Sequence, residues 1–371
     1  MIRAAVMPGP HRSIEIREYD YPDMEDGSIL LRTIASEVCG TDVHLWHGRL
    51  AGVPYPIIPG HVSVGTIACI EGEVLDVEGV PLEEGDVVTF LDVHETCGSC
   101  WYCSVAGSTT RCPHRRVYGI TYGADEGLLG GWSEYIYLKP GMHIIKLPQN
   151  LTARTFIAGG CGLPTAFHAV QRGDIQMGDT VAVLGSGPVG LNAVILAQLR
   201  GATRVVLIGG PAHRLEMGEN LGADYILDIA AASFAERLRT VQGLTGGRGA
   251  DVTIEATGEP EAVAQAMALT RDAGTVVIAG QYTDAGEVTI NPHLLLNKKH
   301  LDVRGCWGTD FNHLYRAVGV MAKHSSRFPW ADMITREYSL DEAEEALRDV
   351  QSLSVTKALI VPGRQDGEKA R

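Results

Sequence analysis

The sequence lacks the features of membrane-spanning and nucleic-acid-binding proteins. No stretch approaches the run of about 18 apolar residues that a spanning helix needs, and the opening MIRAAVMPGPHRSIEI has no long apolar segment typical of a secretory signal. Basic residues are outnumbered, with 31 Lys and Arg against 45 Asp and Glu and a formal net charge of -14. Without a basic stripe, this charge argues against nucleic acid and anionic membranes as partners. We therefore expect a cytoplasmic protein.

Internal repeats and low-complexity tracts are also missing, and only the polar residues from Gly363 to Arg371 have the composition of a disordered tail. The rest of the composition is ordinary for a globular protein. The chain has 371 residues, of which 45% are hydrophobic and 20% charged. This length predicts two domains, each able to bury a sizeable core.

The stretch from Thr180 to Gly190, TVAVLGSGPVG, is the most informative part of the chain. A short apolar strand enters the pattern Gly-x-Gly-x-x-Gly, and an apolar helical run follows. In a dinucleotide-binding turn the glycines permit the sharp turn, the close approach of a pyrophosphate and tight helix–strand packing. The alternative is a glycine-rich turn that binds nothing. The candidate cofactor-binding residues here are Gly185, Gly187, Pro188, Val189 and Gly190.

The two parts of the chain differ in their secondary-structure pattern. The first 150 residues contain short apolar segments such as SILLRTIAS and VSVGTIACI between Gly and Pro, which predicts a mostly β module. From Thr180, six strand-like segments alternate with helix-like ones, which predicts an α/β fold with a doubly wound parallel sheet. The predicted helices cover 188–200, 212–221, 233–244, 260–271, 312–323 and 341–350, and TKALIVP forms a last strand.

Four of the eight cysteines lie close together in the sequence. They are Cys97, Cys100, Cys103 and Cys112. Thiols this dense pair poorly among themselves, so a tetrahedral four-thiolate zinc is the preferred interpretation. An iron–sulfur centre or four free thiols are the alternatives. A site with four protein ligands has no open position, so its role would be structural and it would hold the excursion from His94 to Arg116.

A second metal site would have to be assembled from separated residues. Cys39 opens the segment CGTDVH, His61 follows a proline-rich turn, and Cys161 lies in GGCGLPTAF. Taken singly, a buried Cys is more often part of the core and a lone His more often a satisfied polar group. Together they would give a zinc site whose fourth position is open to water or substrate.

These motifs together resemble the zinc-dependent medium-chain dehydrogenases/reductases, the alcohol dehydrogenase superfamily, over nearly the full chain. The resemblance rests on CGTDVH, PGHVSVG at Pro59, the four cysteines, GGWSEYIYL at Gly130, GGCGLPTA and GSGPVG, in the family's order. It implies a GroES-like, mostly β catalytic domain at 1–162 and 304–371, with a zinc lobe at about 94–116. It also implies a Rossmann domain at 163–303, an active site in the cleft between them, and a homodimer or homotetramer.

The resemblance also implies roles for individual residues. Cys39, His61 and Cys161 match the ligands of a catalytic zinc, and the four clustered cysteines match those of a structural zinc. Asp42 matches a carboxylate that orients His61. Thr41 and His44 match a proton relay from the alcohol. Without the resemblance, Thr41 would be interpreted as a helix cap and His44 as a surface histidine.

Two positions depart from the family pattern. Val62 stands where a Glu usually follows the ligating histidine, so we expect the fourth zinc ligand to exchange without the help of a carboxylate. After RVVLI the chain has Gly209 and Gly210 in place of the acidic residue that binds the NAD ribose, and Arg214 follows. Arg214 could pair with a 2′-phosphate, so NADP is favoured slightly over NAD. The alternative places Arg214 on a solvated helix face.

The implied function is zinc-dependent hydride transfer between an alcohol or polyol, as a secondary alcohol or ketone, and NAD(P). Two alternatives are a zinc-independent carbonyl or alkene reductase of the same fold and a non-catalytic dinucleotide-binding homologue. The candidate walls of the substrate pocket are Trp46, Val93, Tyr118, Trp132 and Trp307, although aromatic residues more often belong to the core.

Overall fold

The computed structural model describes residues 1–364; the greater part of the predicted disordered tail lies outside them. The chain divides into two compact units. The first contains residues 1–160, 310–325 and the segment from Ala331 onward, and the second contains residues 161–309 and 326–330. The domain limits given above from the sequence stay a prediction. Among the described residues, no helix has both the length and the apolar character needed to cross a membrane.

Strands and helices are numbered here in chain order. The strands are β1 (Ile2–Val6), β2 (Glu15–Tyr19), β3 (Ile29–Val38), β4 (Ser63–Ile70), β5 (Val87–Phe90), β6 (Val93–Glu95), β7 (Arg116–Val117), β8 (Tyr135–Leu138), β9 (Ile144–Lys146), β10 (Thr180–Leu184), β11 (Arg204–Gly209), β12 (Tyr225–Asp228), β13 (Ala250–Glu255), β14 (Thr270–Ile278), β15 (Asp302–Gly305), β16 (Ile334–Tyr338) and β17 (Lys357–Ile360). The α-helices are α1 (Gly40–Trp46), α2 (Trp101–Ser104), α3 (Ala153–Gly159), α4 (Gly162–Gly173), α5 (Pro188–Arg200), α6 (Ala212–Asn220), α7 (Phe234–Leu244), α8 (Pro260–Leu269), α9 (Phe311–His324) and α10 (Ala343–Gln351).

The first unit is built on a seven-stranded sheet with strand order β16-β17-β3-β4-β5-β9, in which β8 also pairs with β3. All of its pairs are antiparallel except β16 with β17. The ten-residue β3 pairs with β4, β8 and β17, and most of its side chains are buried. This confirms the mostly β module, and it makes β3 the strand on which the neighbouring segments are arranged.

A two-stranded ladder closes the excursion that contains the four clustered cysteines. Strand β6 pairs antiparallel with β7, with Val93 opposite Val117 and Glu95 opposite Arg116. Between the two strands the chain forms only α2 and one short turn of 3₁₀-helix, Thr109–Arg111. The excursion predicted from His94 to Arg116 therefore begins and ends at paired strands, while its interior has little regular structure of its own.

The second unit contains the predicted doubly wound sheet. Its six strands run in the order β12-β11-β10-β13-β14-β15, and every pair is parallel. The order reverses between β10 and β13, and ligands bind beyond the carboxyl ends of the strands at such a switch point. Helix α5 follows β10 directly, begins at Pro188 and is buried over most of its length. The Rossmann fold is confirmed.

Some element boundaries differ from the sequence prediction. The helix predicted to reach Arg271 ends at Leu269, and Thr270 already belongs to β14. The Thr270 hydroxyl donates a hydrogen bond to the Ala266 carbonyl, which satisfies the end of α8 with a side chain instead of a further helical turn. Helix α4, with the sequence GLPTAFHAVQRG, was not predicted, and it contains Pro164. Proline is tolerated there since it lies in the first turn.

Candidate functional site

The segment after β3 presents the first candidate metal ligand. Cys39 caps α1, and its Sγ accepts a hydrogen bond from the backbone N–H of Thr41 at 3.3 Å. The Asp42 side chain returns the contact, accepting from the N–H of Cys39 at 2.8 Å. This reciprocal cap fixes the thiol at the junction of strand and helix. Asp42 is fully buried, so its contact is shielded from water.

His61 lies beside Cys39. Its Nε2 atom is 3.9 Å from Cys39 Sγ, and the ring is buried. The carboxylate of Asp42 accepts a second hydrogen bond, at 3.4 Å, from the N–H of Gly60. Asp42 therefore holds the backbone at Cys39 and at Gly60, the residue before His61. The ring atom His61 Nδ1 is buried and has no hydrogen-bond partner within residues 1–364.

Cys161 completes the group. One ligand atom each from Cys39, His61 and Cys161 lies within 4.8 Å of the other two. Two ligands of a tetrahedral zinc are about 3.5 Å apart when one is sulfur and the other nitrogen. The 3.9 Å separation of Cys39 and His61 is close to this value. The donor set therefore fits zinc, since two thiols and one imidazole are three of the four ligands that a tetrahedral site takes.

Electrostatics at this group favour a cation. Burial lowers the pKa of His61, but the Cys39 thiol and the carboxylates of Asp42 and Asp92 outweigh burial and raise that pKa to about 10. Burial and the Cys39 thiol raise the pKa of Asp42 well above its usual range. The causes differ: burial is the largest one at Asp42, whereas at His61 the neighbouring negative groups act against burial. A divalent cation would relieve the repulsion among these negative groups.

Thr41 and His44 lie on α1, immediately after Cys39. Three residues apart on a helix, their side chains share one face. Both are partly exposed. Burial, followed by the positive charge of Arg49, lowers the pKa of His44, which keeps the imidazole neutral near pH 7 and able to accept a proton.

The four clustered cysteines meet in the loop between β6 and β7. Sγ of Cys97 lies 3.7 Å from Sγ of Cys112. Sγ of Cys100 lies 3.5 Å from Sγ of Cys103. These separations are too long for a disulfide of about 2.05 Å but match the edge of about 3.8 Å of a four-thiolate zinc tetrahedron. All four are free thiols with ligand atoms within 4.8 Å of one another, so they fit a closed zinc site.

Within the lobe, the surroundings of Cys97 favour the thiolate form that zinc requires, whereas burial and the Cys100 side chain raise the pKa of Cys103 to about 12. Backbone hydrogen bonds from Ser99 and Cys100 lower the pKa of Cys97 to about 6. The N–H of Cys97 in turn donates to Sγ of Cys112 at 3.3 Å, and the N–H of Cys100 donates to Sγ of Cys97 at 3.3 Å. Such N–H to sulfur contacts stabilise negative charge on the thiols.

In the second unit, the glycine turn packs directly on the neighbouring strand. A Cβ at Gly185 would lie 2.5 Å from the Ala256 carbonyl oxygen, and Gly185 has φ +110. Both facts require glycine there. Around Gly187, by contrast, Arg214 is the only residue in the described part of the chain within 4 Å of such a Cβ, apart from the chain neighbours of Gly187. The turn is therefore tight at its first glycine and open at its second, as the approach of a pyrophosphate demands.

Arg214 is not on a solvated helix face. It is 6% exposed, and its Nη1 atom lies 3.9 Å from the Cβ position of Gly187. Burial lowers the pKa of Arg214. The alternative that placed Arg214 on a solvated face is wrong, because α6 turns this side chain inward toward the glycine turn. A buried guanidinium beside the open glycine favours an anion there.

Sequence reasoning missed two groups beside Gly210. The Ser186 hydroxyl donates to the Gly210 carbonyl at 2.8 Å and accepts from the Gly210 N–H at 3.0 Å, so it ties the glycine turn to the end of β11. A Cβ at Gly210 would lie 3.8 Å from an oxygen of Asp228. The Asp228 carboxylate thus lies near Gly210, although the Gly209–Gly210 loop itself contains no acidic residue. Asp228 is on β12, whose register no sequence motif fixes.

Glu255, at the end of β13, was also missed. Its buried carboxylate accepts hydrogen bonds from the N–H groups of Thr257, Gly258 and Gly280, at 2.6, 3.1 and 3.2 Å. It therefore joins the loops that follow β13 and β14, beside the glycine turn that packs on Ala256. The only sequence signal is an acidic residue at the end of an apolar strand.

Three of the five predicted pocket walls belong to the core. Tyr118 and Trp132 are completely buried and Val93 nearly so. Tyr118 donates a hydrogen bond to the Tyr137 carbonyl, and Trp132 donates through Nε1 to the Glu37 carbonyl. Aromatic side chains of this size stabilise a sheet more often than they contact ligands. Trp46 and Trp307 remain partly exposed and stay candidates.

Comparison with known families identifies the class of protein. Residues 25–149 match the alcohol dehydrogenase GroES-like domain, and residues 188–336 match the zinc-binding dehydrogenase domain. The 5-exo-hydroxycamphor dehydrogenase of Pseudomonas putida is 34% identical, over 96% of this chain and 98% of that protein. The erythritol/L-threitol dehydrogenase of Mycolicibacterium smegmatis is 29% identical, over 95% of this chain and 94% of that protein.

Solved structures of dehydrogenases superpose on this chain over nearly its full length. The crystal structure of an alcohol dehydrogenase from Thermotoga maritima superposes with a TM-score of 0.92 at 31% identity, over 97% of this chain and 99% of that one. A zinc-binding dehydrogenase from Sinorhizobium meliloti, bound to NADP, superposes with a TM-score of 0.85 at 29% identity, over 98% and 99% of the two chains.

The chain therefore belongs to the zinc-binding, alcohol dehydrogenase-type family of medium-chain dehydrogenases/reductases. It is an NAD(P)-dependent oxidoreductase, and its relatives act as dehydrogenases of alcohols and polyols.

Proposed function

We propose that this protein transfers hydride between a secondary alcohol or polyol and NAD(P), with one zinc held by Cys39, His61 and Cys161 and a second held by Cys97, Cys100, Cys103 and Cys112. The observation that carries the proposal is the group of two thiols and one imidazole. Its members come from three distant segments, yet their ligand atoms lie within 4.8 Å of one another. Such a group leaves one coordination position for substrate.

The protein's own residues supply binding, orientation and proton transfer. Zinc, when bound, supplies Lewis acidity that lowers the pKa of an alcohol oxygen. Thr41, two residues beyond Cys39, accepts the alcohol proton through its hydroxyl, and neutral His44 on the same helix face passes it toward water. Asp42 keeps the thiol and imidazole segments in register through backbone hydrogen bonds. NAD(P), held at the turn of Gly185, Gly187 and Gly190, would supply the hydride acceptor, so that the alcohol would become a ketone or aldehyde.

Zinc content and turnover, measured on wild type and on Cys161→Ala, test this proposal. We expect two zincs per chain to fall to about one, because the lobe keeps its four ligands. Oxidation of alcohols, followed by the absorbance of reduced nicotinamide, should fall by roughly 1,000-fold, since several kcal/mol of charge stabilisation is lost. Cys69→Ser is the matched control, because Cys69 belongs to neither group.

A different zinc content and turnover would contradict the proposal. One zinc in both proteins, with turnover unchanged by Cys161→Ala, would contradict metal-assisted chemistry at this group. The zinc-independent reductase would then account better for the chain. Cofactor binding without turnover of any alcohol or ketone in a broad panel would favour the non-catalytic homologue.

For the cofactor, we infer a preference for NADP. The buried guanidinium of Arg214 lies beside the open second glycine, and Gly209 and Gly210 carry no carboxylate. The NADP-bound relative supports the same preference. Asp228 near Gly210 opposes it, because a carboxylate repels a 2′-phosphate. The positive charge is the more buried of the two and so is the less screened by water.

Dissociation constants for NADPH and NADH test this preference. Arg214→Ala should weaken NADPH by roughly 10- to 100-fold, the loss of about 1.5 to 3 kcal/mol from a charged hydrogen bond, and change NADH far less. Arg214→Lys should give an intermediate value because it keeps the charge but not the planar fork. Asp228→Asn should strengthen NADPH. Equal effects of Arg214→Ala on both cofactors would rule out phosphate recognition.

We also infer that the substrate is a small alcohol or carbonyl compound, and that the chain forms a homodimer or homotetramer. Strand β15 lies at the edge of the six-stranded sheet, with most of its residues exposed, including Val303. An exposed edge strand with an apolar side chain offers a pairing surface to a second copy. Sedimentation of the intact chain measures the number of subunits.

A further inference from the structure

A buried ion pair lies beside the proposed catalytic group and takes no part in the chemistry derived so far. The Nζ atom of Lys357, on β17, donates a hydrogen bond to Oε1 of Glu37, on β3. The side chains are 0% and 1% exposed. Removing two charges from water is costly, and a neutral pair of similar volume often gives equal stability. A role beyond stability is therefore worth seeking in what the pair touches.

Glu37 adjoins the segments that carry Cys39 and His61. It lies two residues before Cys39, and alternation along a strand places residues two apart on the same face. Its backbone N–H donates to the carbonyl of Val62, the residue after His61, at 3.0 Å. One residue of β3 thus sits next to two of the three proposed ligands.

The ion pair of Glu37 and Lys357 adjoins the third proposed ligand, Cys161. Gly160 directly precedes Cys161 and has φ 50 and ψ -145, a conformation available almost only to glycine. A Cβ at Gly160 would collide with Oε2 of Glu37 and Nζ of Lys357. The ion pair therefore lies against the bare backbone of Gly160, one peptide bond from the Cys161 thiol.

We propose that Glu37 and Lys357 are positioning residues that set the spacing of Cys39, His61 and Cys161 for the metal. The pair links β3, which leads to Cys39, to the backbone that leads to Cys161. A charged hydrogen bond between two buried groups has a narrow range of geometry, unlike an apolar contact. The inference rests on the proposed function, since it assumes that the three residues hold zinc.

Zinc release to a chelator, followed with a chromophoric indicator, separates this role from a merely structural one. The phase that disappears in Cys161→Ala belongs to the proposed catalytic group, and the remaining phase belongs to the four-cysteine lobe. The informative variant is Glu37→Gln with Lys357→Met, which removes both charges and leaves no lone buried charge. Glu37→Asp keeps the negative charge on a side chain that is one methylene shorter. This variant replaces the double variant in the experiment if the double variant does not fold.

We expect the Cys161-dependent phase of zinc release to accelerate by roughly 10-fold or more in these variants, as for other residues that orient metal ligands. The lobe phase and the thermal midpoint should stay near wild type. The control is Asp86→Asn with Lys146→Met, which removes a 2.6 Å ion pair between Lys146 on β9 and Asp86, the residue before β5; neither residue belongs to the ligand groups.

Three outcomes would count against the proposals. Unchanged release in both Glu37→Asp and the double variant would overturn the positioning role. Equal acceleration in the control pair would overturn it too, because the effect would then be general destabilisation. A wild-type protein that never shows the Cys161-dependent phase would instead overturn the proposed metal site itself, which distinguishes the two failures.

Discussion

The two thiol-rich groups in this protein are constructed in opposite ways. The four lobe cysteines come from one short stretch of chain, and their loop has little secondary structure between β6 and β7. Cys39, His61 and Cys161 come from three distant segments, and the buried Asp42 carboxylate holds the backbone at Cys39 and at Gly60, the residue before His61. We therefore expect the first group to depend on a bound metal for its shape and the second to depend on the fold.

The number of protein ligands accounts for this difference between the two groups. A four-thiolate site is complete, so all of its binding free energy can stabilise the loop. A three-ligand site must keep an open position, and it can do so only if other contacts hold its ligands apart. We propose that the buried Asp42 and Glu37 carboxylates are such contacts at the three-ligand group, whereas Cys97 in the lobe is exposed.

The largest effect should follow from breaking the lobe. In Cys112→Ser the closed site loses one thiolate, and zinc-peptide folding free energies of about 10 to 16 kcal/mol indicate how far such a loop depends on its metal. We expect zinc to fall to about one per chain and proteolysis between β6 and β7 to accelerate by roughly 100-fold.

The sheets should remain folded in that variant, because the β6–β7 ladder separates the lobe from the main sheet of the first unit. Far-UV circular dichroism and limited proteolysis measure the two effects. Cys69→Ser is the control. A lobe that resists protease without its zinc would show that the loop is not metal-dependent and would remove the contrast between the two groups.

A smaller effect should follow at the scaffolded group. Asp42→Asn keeps the size of the side chain, but its amide can present an N–H to the backbone N–H of Cys39 or Gly60 where an oxygen now accepts. We expect zinc affinity at this group, and turnover with it, to fall by about 10- to 100-fold.

Metal titration of the zinc-depleted protein measures this, with the lobe zinc as an internal reference. Asp92→Asn is the control, since Asp92 acts on His61 only through its charge. An Asp42→Asn protein that binds zinc as tightly as wild type would mean that the backbone contacts do not position the ligands.

The same contrast explains what the sequence could predict. The lobe followed from spacing alone, because its ligands are neighbours in the chain. The glycine turn also followed, since β10, the turn and α5 are contiguous. Cys39, His61 and Cys161 needed the family resemblance to be joined, because pairing between β3 and its neighbours brings their segments together and no local pattern encodes that pairing.

Residues that act only through tertiary contacts were missed altogether. Glu255 and Ser186 are an unremarkable acid and hydroxyl in the sequence, and their roles exist only once two loops meet. Arg214 shows the reverse case: the residue was noted, but whether it faced solvent or the glycine turn depended on how α6 packs. The buried positions of Tyr118 and Trp132 likewise follow from the sheet and not from their residue type.

The smallest expected effect concerns Val62, where the family resemblance leads us to expect Glu. Its carbonyl accepts hydrogen bonds from the N–H of Glu37 and the hydroxyl of Ser36, so substitution changes only the partly exposed side chain. Val62→Glu would add a carboxylate beside His61 that can serve as an alternative ligand. We expect chelator-driven release of the Cys161-dependent zinc, or turnover, to change by roughly 3-fold, a difference of about 0.7 kcal/mol.

Val62→Gln is the matched control, since it has nearly the same size but a far weaker ligand. If the Glu variant differs from the Gln variant, the scaffolded group tolerates an added ligand and the native chain works with its three ligands held by the fold. If both behave as wild type, the position is mechanistically silent, and the fixed geometry of Cys39, His61 and Cys161 alone governs exchange of the fourth ligand.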